Sequence, residues 1–142
     1  MLKQHHRQIA FSLGLASLLV ALSFAWQGRL GFNLWDEGFL WYGAQRVMAG
    51  EVPIRDFMAY DPGRYYWSAS LMSLVGDDGI VSLRIATAIF QALGLCVGLL
   101  LVRSALRCSP RERLAFLGLA GLIIGVWMFP RHKLFDASVS LF

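Results

Sequence analysis

The stretch IVSLRIATAIFQALGLCVGLLLV, residues 80–102, decides the fold. It runs for 23 residues with a single charge, Arg84, near its start. An apolar run of about 18 residues or more with so little charge predicts a membrane-crossing helix. Within it Arg84, Thr87, Gln91, Gly94 and Gly98 recur at steps of 3, 4, 3 and 4, which puts them on one helix face. In a lipid-embedded helix, a stripe of polar and small residues faces protein, because glycines permit close approach and Gln91 can hydrogen-bond across. Arg84 lies where it can snorkel to the surface or point into a polar cavity.

Two more apolar runs flank this one. Gln8 to Trp26 spans 19 residues behind a basic stretch containing Lys3, His5, His6 and Arg7. Ser23-Phe24-Ala25 offers a signal-peptide cleavage pattern, but the spans that follow favour a retained first helix. The third run is Pro110 to Phe129, with Ser109 as N-cap, Pro110 as first helical residue, Glu112 as capping-box partner and Pro130 as its stop. Gly118, Gly121 and Gly125 repeat the small-residue stripe there.

Composition agrees with lipid as the main solvent. Of 142 residues, 57% are apolar and 15% charged, against about 25% charged in soluble domains. This excludes both an ordinary soluble enzyme and a disordered chain. The net charge of +4 is explained by the flanks of the apolar runs rather than by nucleic acid. Cys96 and Cys108 form neither a disulfide framework nor a zinc pattern.

The same charges set orientation. Lys3 and Arg7 precede the first run, and Arg103, Arg107, Arg111 and Arg113 lie between the second and third, so both regions are expected in the cytoplasm. Residues 27–79 carry four arginines against seven acids and are expected outside. Short basic loops of this kind suit a bacterial inner membrane. The apolar-patterned end, residues 134–142, and the two glycine-lined faces are expected to belong to a longer chain with a larger bundle.

Residues 27–79 are too long for a structureless loop. Asp36 and Glu37 open a helical pattern through Phe39, Leu40, Tyr42, Ala44, Val47 and Met48, closed by Gly50. Its aromatics, with Trp35 ahead of them, suit a helix at the lipid–water interface. An extended connector and the turn Tyr60-Asp61-Pro62-Gly63 lead to a second short helix, Arg64 to Val75, and Gly76-Asp77-Asp78-Gly79 turns into the next span. The predicted class is therefore all-α: a polytopic membrane module of three spans (8–26, 80–102, 110–129) with two interfacial helices in one outer loop.

Chemistry concentrates on Asp36-Glu37. From spacing alone, the pair reads as an N-cap and a first-turn acid. A helix N-terminus also favours an ionised carboxylate, which a general base or a metal ligand requires. Asp56 and Asp61 are the remaining candidates for a divalent-metal site, although solvated loop acids are the simpler reading. His5 and His6 belong to the basic flank, and His132 to the cluster formed with Arg131 and Lys133.

The order of a first span, Trp35-Asp36-Glu37, "YGAQRVMAGEVPIRDF" (42–57), "YDPGRYYW" (60–67) and a span carrying "LRIATAIFQALG" (83–94) resembles the N-terminal module of the GT-C membrane glycosyltransferases. The likeness is to the family that holds protein O-mannosyltransferases and the lipid A aminoarabinose transferase, and it covers residues 8–102. It implies an inverting glycosyltransferase that moves a sugar from a polyprenyl-phosphate donor to an acceptor at the outer membrane face. In that family the acidic residue of the first outer loop is at the active site, and here it matches Asp36, with Glu37 beside it. Arg64 becomes the candidate for the leaving phosphate, with Tyr65 or Tyr66 as hydroxyl donors. Many relatives have a second proline and an aliphatic residue at Gly63 and Arg64, so Arg64 has no direct family counterpart. Some GT-C enzymes use a divalent metal, and others do not.

The resemblance makes the donor, the acceptor, membrane lipid and the remainder of the chain the expected partners. These 142 residues alone are then expected to be inactive, forming only part of a cavity wall. The competing reading is a non-enzymatic three-span scaffold or assembly subunit. A reading frame continuing past Phe142 with further apolar spans favours the enzyme, and a stop codon there favours the scaffold. A transporter is disfavoured, since no acid lies inside a span.

Overall fold

A computed structural model describes residues 2–105 and 109–127. Among these residues the chain forms five helices: α1 (Leu2–Gln27), α2 (Asp36–Met48), α3 (Pro62–Val75), α4 (Ile80–Ala105) and α5 (Pro110–Trp127). The only pairing outside them is an isolated bridge from Pro53 to Phe57. The all-helical class and the order of elements follow the sequence reading.

Two of the helices, not three, are long and apolar enough to cross a membrane: residues 6–26 of α1 and the whole of α4. The expected third span starts where the sequence places it. Ser109 and Glu112 close the capping box, with Ser109 N–H donating to Glu112 Oε2 at 3.0 Å and Glu112 N–H to Ser109 Oγ at 3.4 Å. Arg111, Glu112 and Arg113 fill its first turn, however, so its 18 described residues carry three charges, more than a membrane-crossing stretch of that length holds. The proposed end of that span at Phe129, His132 and the final apolar stretch lie outside the described residues.

The helices bury two clusters. In the first, Ala16 and Val20 of α1 pack with Leu95, Cys96 and Leu99 of α4 and Leu117 of α5. The α4 stripe is protein-facing as expected: Arg84, Thr87, Gly94 and Gly98 are buried, while Ile85, Ile89 and Leu93 are exposed on the other side. On α5 the stripe divides. A Cβ at Gly121 would lie 2.7 Å from a Leu19 methyl, whereas Gly118 faces open space. An apolar groove of about 350 Å³ runs between α1 and α4, lined by small residues including Ser17, Ala21, Ala88 and Ala92.

The second cluster lies beyond the α1 terminus, where α2 and α3 pack on the start of α4. Leu40, Ala44, Tyr65, Met72 and Leu83 form its centre, and Phe39, Trp41 and Trp67 pack against it. Both short helices end on an αL glycine, as the sequence reading expected at Gly50; at Gly76 it expected only a turn. Gly50 has φ +91° with Glu51 N–H on the Arg46 carbonyl, and Gly76 has φ +69° with Asp77 N–H on the Met72 carbonyl.

Of the aromatics expected at the lipid interface, Trp35, Tyr42 and Tyr66 are exposed, while Trp41 and Trp67 are committed to protein. Trp41 Nε1 donates to the Asp78 carbonyl at 2.6 Å. Trp67 Nε1 donates to the Ala86 carbonyl at 2.8 Å and its ring packs edge-on against Phe90. At Gly43 α2 packs tightly on α3: a Cβ there would fall 2.4 Å from the fully buried Tyr65 ring. Gly43→Ala is therefore expected to destabilise the outer cluster by about 1–3 kcal/mol, as overpacking of a closed core does. Denaturant unfolding in detergent reads this directly.

Candidate functional site at the start of α2

The site is built where α1 ends. The chain leaves α1, turns through residues 28–35 and enters α2 at Asp36. Sequence reasoning gave the N-cap to the acidic pair, but Trp35 holds that position without a side-chain cap bond, and Asn33, two residues earlier, supplies the capping contacts. Its Oδ1 accepts from Trp35 N–H at 3.0 Å and from Asp36 N–H at 3.3 Å, and its carbonyl accepts from Glu37 and Gly38 N–H at 3.0 Å each. Its Nδ2 donates to Asp36 Oδ2 at 2.8 Å. Asp36, half-buried, is thus the first helical residue, oriented by an amide three positions earlier. A polar Asn three residues before an acid at a helix start was the available signal.

Glu37 has a different environment from its neighbour. It is buried, and its carboxylate takes both arms of a guanidinium: Arg84 Nε to Oε1 at 2.6 Å and Nη2 to Oε2 at 2.8 Å. Arg84 is buried too. It also donates from Nη1 to the Gly28 carbonyl at 2.8 Å and from Nη2 to the Gly31 carbonyl. Neither snorkelling nor an open cavity describes it. One side chain of α4 clamps the end of α1, the connector and the first turn of α2. Bidentate arginine–carboxylate geometry is strong and directional, and the 47-residue separation hides the pair from any local reading of sequence.

The outer loop adds a second rigid part. Arg46 of α2 bonds Glu51 and Tyr42 and reaches the Asp56 carbonyl at 3.3 Å. Asp56 Oδ2 accepts from Val52 N–H at 2.8 Å and from Arg55 Nη2 at 2.7 Å. Those donors, the Arg55 guanidinium first and the Val52 amide next, hold the Asp56 carboxyl down at about 2. Within this loop Ile54 has φ +74°, a region that costs a β-branched residue about 1–2 kcal/mol. Its side chain is exposed. Ile54→Gly is expected to raise stability by up to about 1 kcal/mol by relieving that strain. Unfolding midpoints of the two proteins test this.

Arg64 and Tyr65 lie together, with the guanidinium 6.0 Å from the Tyr65 ring centre, while Tyr66 faces outward. Arg64 is buried, with Nη2 on Asp61 Oδ2 at 2.5 Å and its guanidinium 4.6 Å from the Tyr60 ring centre. Tyr65 is wholly enclosed, its ring edge-on to Phe39 and Phe57, and burial raises its hydroxyl pKa. Tyr66 is exposed. Phe39, one turn along α2 from Asp36, stacks on Tyr60 at 5.8 Å, which connects the acidic start of α2 to the Arg64 region.

Of the two acids considered for a metal, Asp56 is committed to Arg55 and Val52, and Asp61 to Arg64. Among the described residues no three His, Cys, Asp or Glu side chains come together as a metal-ion group. No family model, curated protein or solved structure matches the chain.

Proposed function

We propose that this chain is the N-terminal module of an integral membrane glycosyltransferase of the GT-C type, which moves a sugar from a polyprenyl-phosphate donor to an acceptor. In this reading α1 and α4 cross a bacterial inner membrane, the N-terminus is cytoplasmic, and α2 and α3 lie on the outer face. The observation that carries it is the division of labour in the acidic pair. Glu37 is used up by Arg84, while Asp36 stands half-buried at a helix N-terminus that is fixed from three sides.

Asp36 then receives the proton of the acceptor hydroxyl or amine as that atom attacks the anomeric carbon. The bond from carbon to phosphate oxygen breaks on the opposite face, and the polyprenyl phosphate leaves with the electron pair. A carboxylate at a helix N-terminus with an amide donor beside it suits the role of a proton acceptor. Glu37 positions this group through Arg84 and takes no proton. Arg64 remains the residue proposed to approach the leaving phosphate, and Tyr66, the exposed tyrosine, the proposed hydroxyl donor. The small-residue groove between α1 and α4 supports a bundle with further helices in the complete protein.

The test is donor consumption. Membranes carrying the native protein, given a panel of tritiated polyprenyl-phosphate monosaccharides, are expected to release polyprenyl phosphate and label an acceptor. Failure to consume any donor above membranes lacking the protein would falsify the assignment.

A further inference from the structure

We propose that the connector between α1 and α2 is a membrane-inserting element. Leu30, Phe32, Leu34 and Trp35 enter the lipid surface where α1 ends and hold the start of α2 at headgroup depth. The inference rests on the proposed crossing of the bilayer by α1, and it assigns the lipid anchor of the outer region to the connector rather than to α2.

Three observations carry it. The first is the inverted character of the segment. Four large apolar side chains within residues 30–35 are exposed, Leu34 at 70% and Trp35 at 86%. Three backbone oxygens of residues 28–35 meet donors inside the protein: those of Gly28 and Gly31 accept from Arg84, and that of Asn33 from the amides of Glu37 and Gly38. A loop in water can leave its carbonyls to solvent and gains nothing by displaying tryptophan. A segment in lipid must satisfy polar backbone internally and put apolar side chains outside.

The second observation is continuity. Leu18, Leu22 and Trp26 form an exposed ridge on α1 at steps of four, with Trp26 at 74%, and just past the helix end Leu30 is exposed as well. The connector therefore extends the surface that α1 presents to lipid. The third is charge. Arg29, exposed beside Leu30, sits where a cation meets lipid phosphates while its neighbours insert. Trp41, by contrast, is bonded to the Asp78 carbonyl, and Phe39 is stacked on Tyr60.

Spin-label depth measurements on the full chain test the proposal. The protein, with Cys96→Ala and Cys108→Ser, is reconstituted into phosphatidylcholine–phosphatidylglycerol vesicles. A nitroxide is placed in turn at Leu34→Cys, Trp35→Cys, Leu22→Cys in α1, and Met58→Cys in the outer loop, where the side chain is exposed. Collisions with oxygen, which concentrates in lipid, are compared with collisions with a water-soluble nickel chelate. The expected result is nickel accessibility at positions 34 and 35 at least about fivefold below position 58, with oxygen accessibility close to that of position 22. If position 22 is lipid-exposed while 34 and 35 match 58, the insertion is overturned and the spanning reading stands. If position 22 itself matches 58, both fall. Shielding of 34 and 35 from both reagents also overturns the proposal, because it reports a protein contact in place of lipid.

Discussion

Replacing Arg84 with alanine is expected to cost the folded protein about 3–5 kcal/mol, the range for removing one partner of a buried ion pair. The size follows from what is left behind. Glu37 would remain buried without the guanidinium that holds both its oxygens, and the Gly28 and Gly31 carbonyls would lose their donor. Three elements separate at once: the end of α1, the connector and the start of α2. Glu37→Gln is expected to cost less, since an amide oxygen still accepts from Arg84 and both carbonyls keep their bonds. A double-mutant cycle across the two positions should return a coupling above about 1 kcal/mol, as residues sharing one network do. Arg55, also ion-paired but exposed, provides the contrast. Its replacement by alanine is expected to leave the unfolding midpoint nearly unchanged.

Asp36→Asn is expected to lower sugar transfer by about 10²–10⁴-fold, the usual worth of a positioned general base. Its effect on stability should stay within about 1 kcal/mol, because the change removes only a charge near a helix N-terminus. Asn33 keeps the cap through its own Oδ1 and carbonyl whatever occupies position 36. The two variants therefore separate: Arg84→Ala fails in an unfolding measurement, and Asp36→Asn fails in turnover while the protein remains folded.

Much of the fold was legible because it rests on local rules. The apolar runs gave α1 and α4, Gly50 and Gly76 marked the helix ends, and Ser109 with Glu112 marked the start of α5. The third span does not qualify among the described residues because its first turn carries three charges, Arg111, Glu112 and Arg113, and the end of the expected run lies beyond them. The aromatics of α2 and α3 were taken as lipid anchors because interface-loving residues and core residues are the same types. Only the partners Asp78 and Ala86 show that Trp41 and Trp67 are tied to protein.

For the site, periodicity placed Arg84 on a protein-facing stripe and the helix start placed the acids together. Neither could connect residues 37 and 84, and the local signal that sets Asp36 apart from Glu37 is Asn33, three residues before it. Their environments differ because successive residues on a helix point about 100° apart. One meets Asn33 and the other meets α4.

That distinction is the core of the account, and turnover of Glu37→Gln beside Asp36→Asn tests it most directly. With donor consumption normalised to folded protein, Glu37→Gln is expected to retain activity within about tenfold of the native protein, while Asp36→Asn loses about a hundredfold or more. A folded Glu37→Gln protein as inactive as Asp36→Asn, or an Asp36→Asn protein that turns over normally, would contradict it.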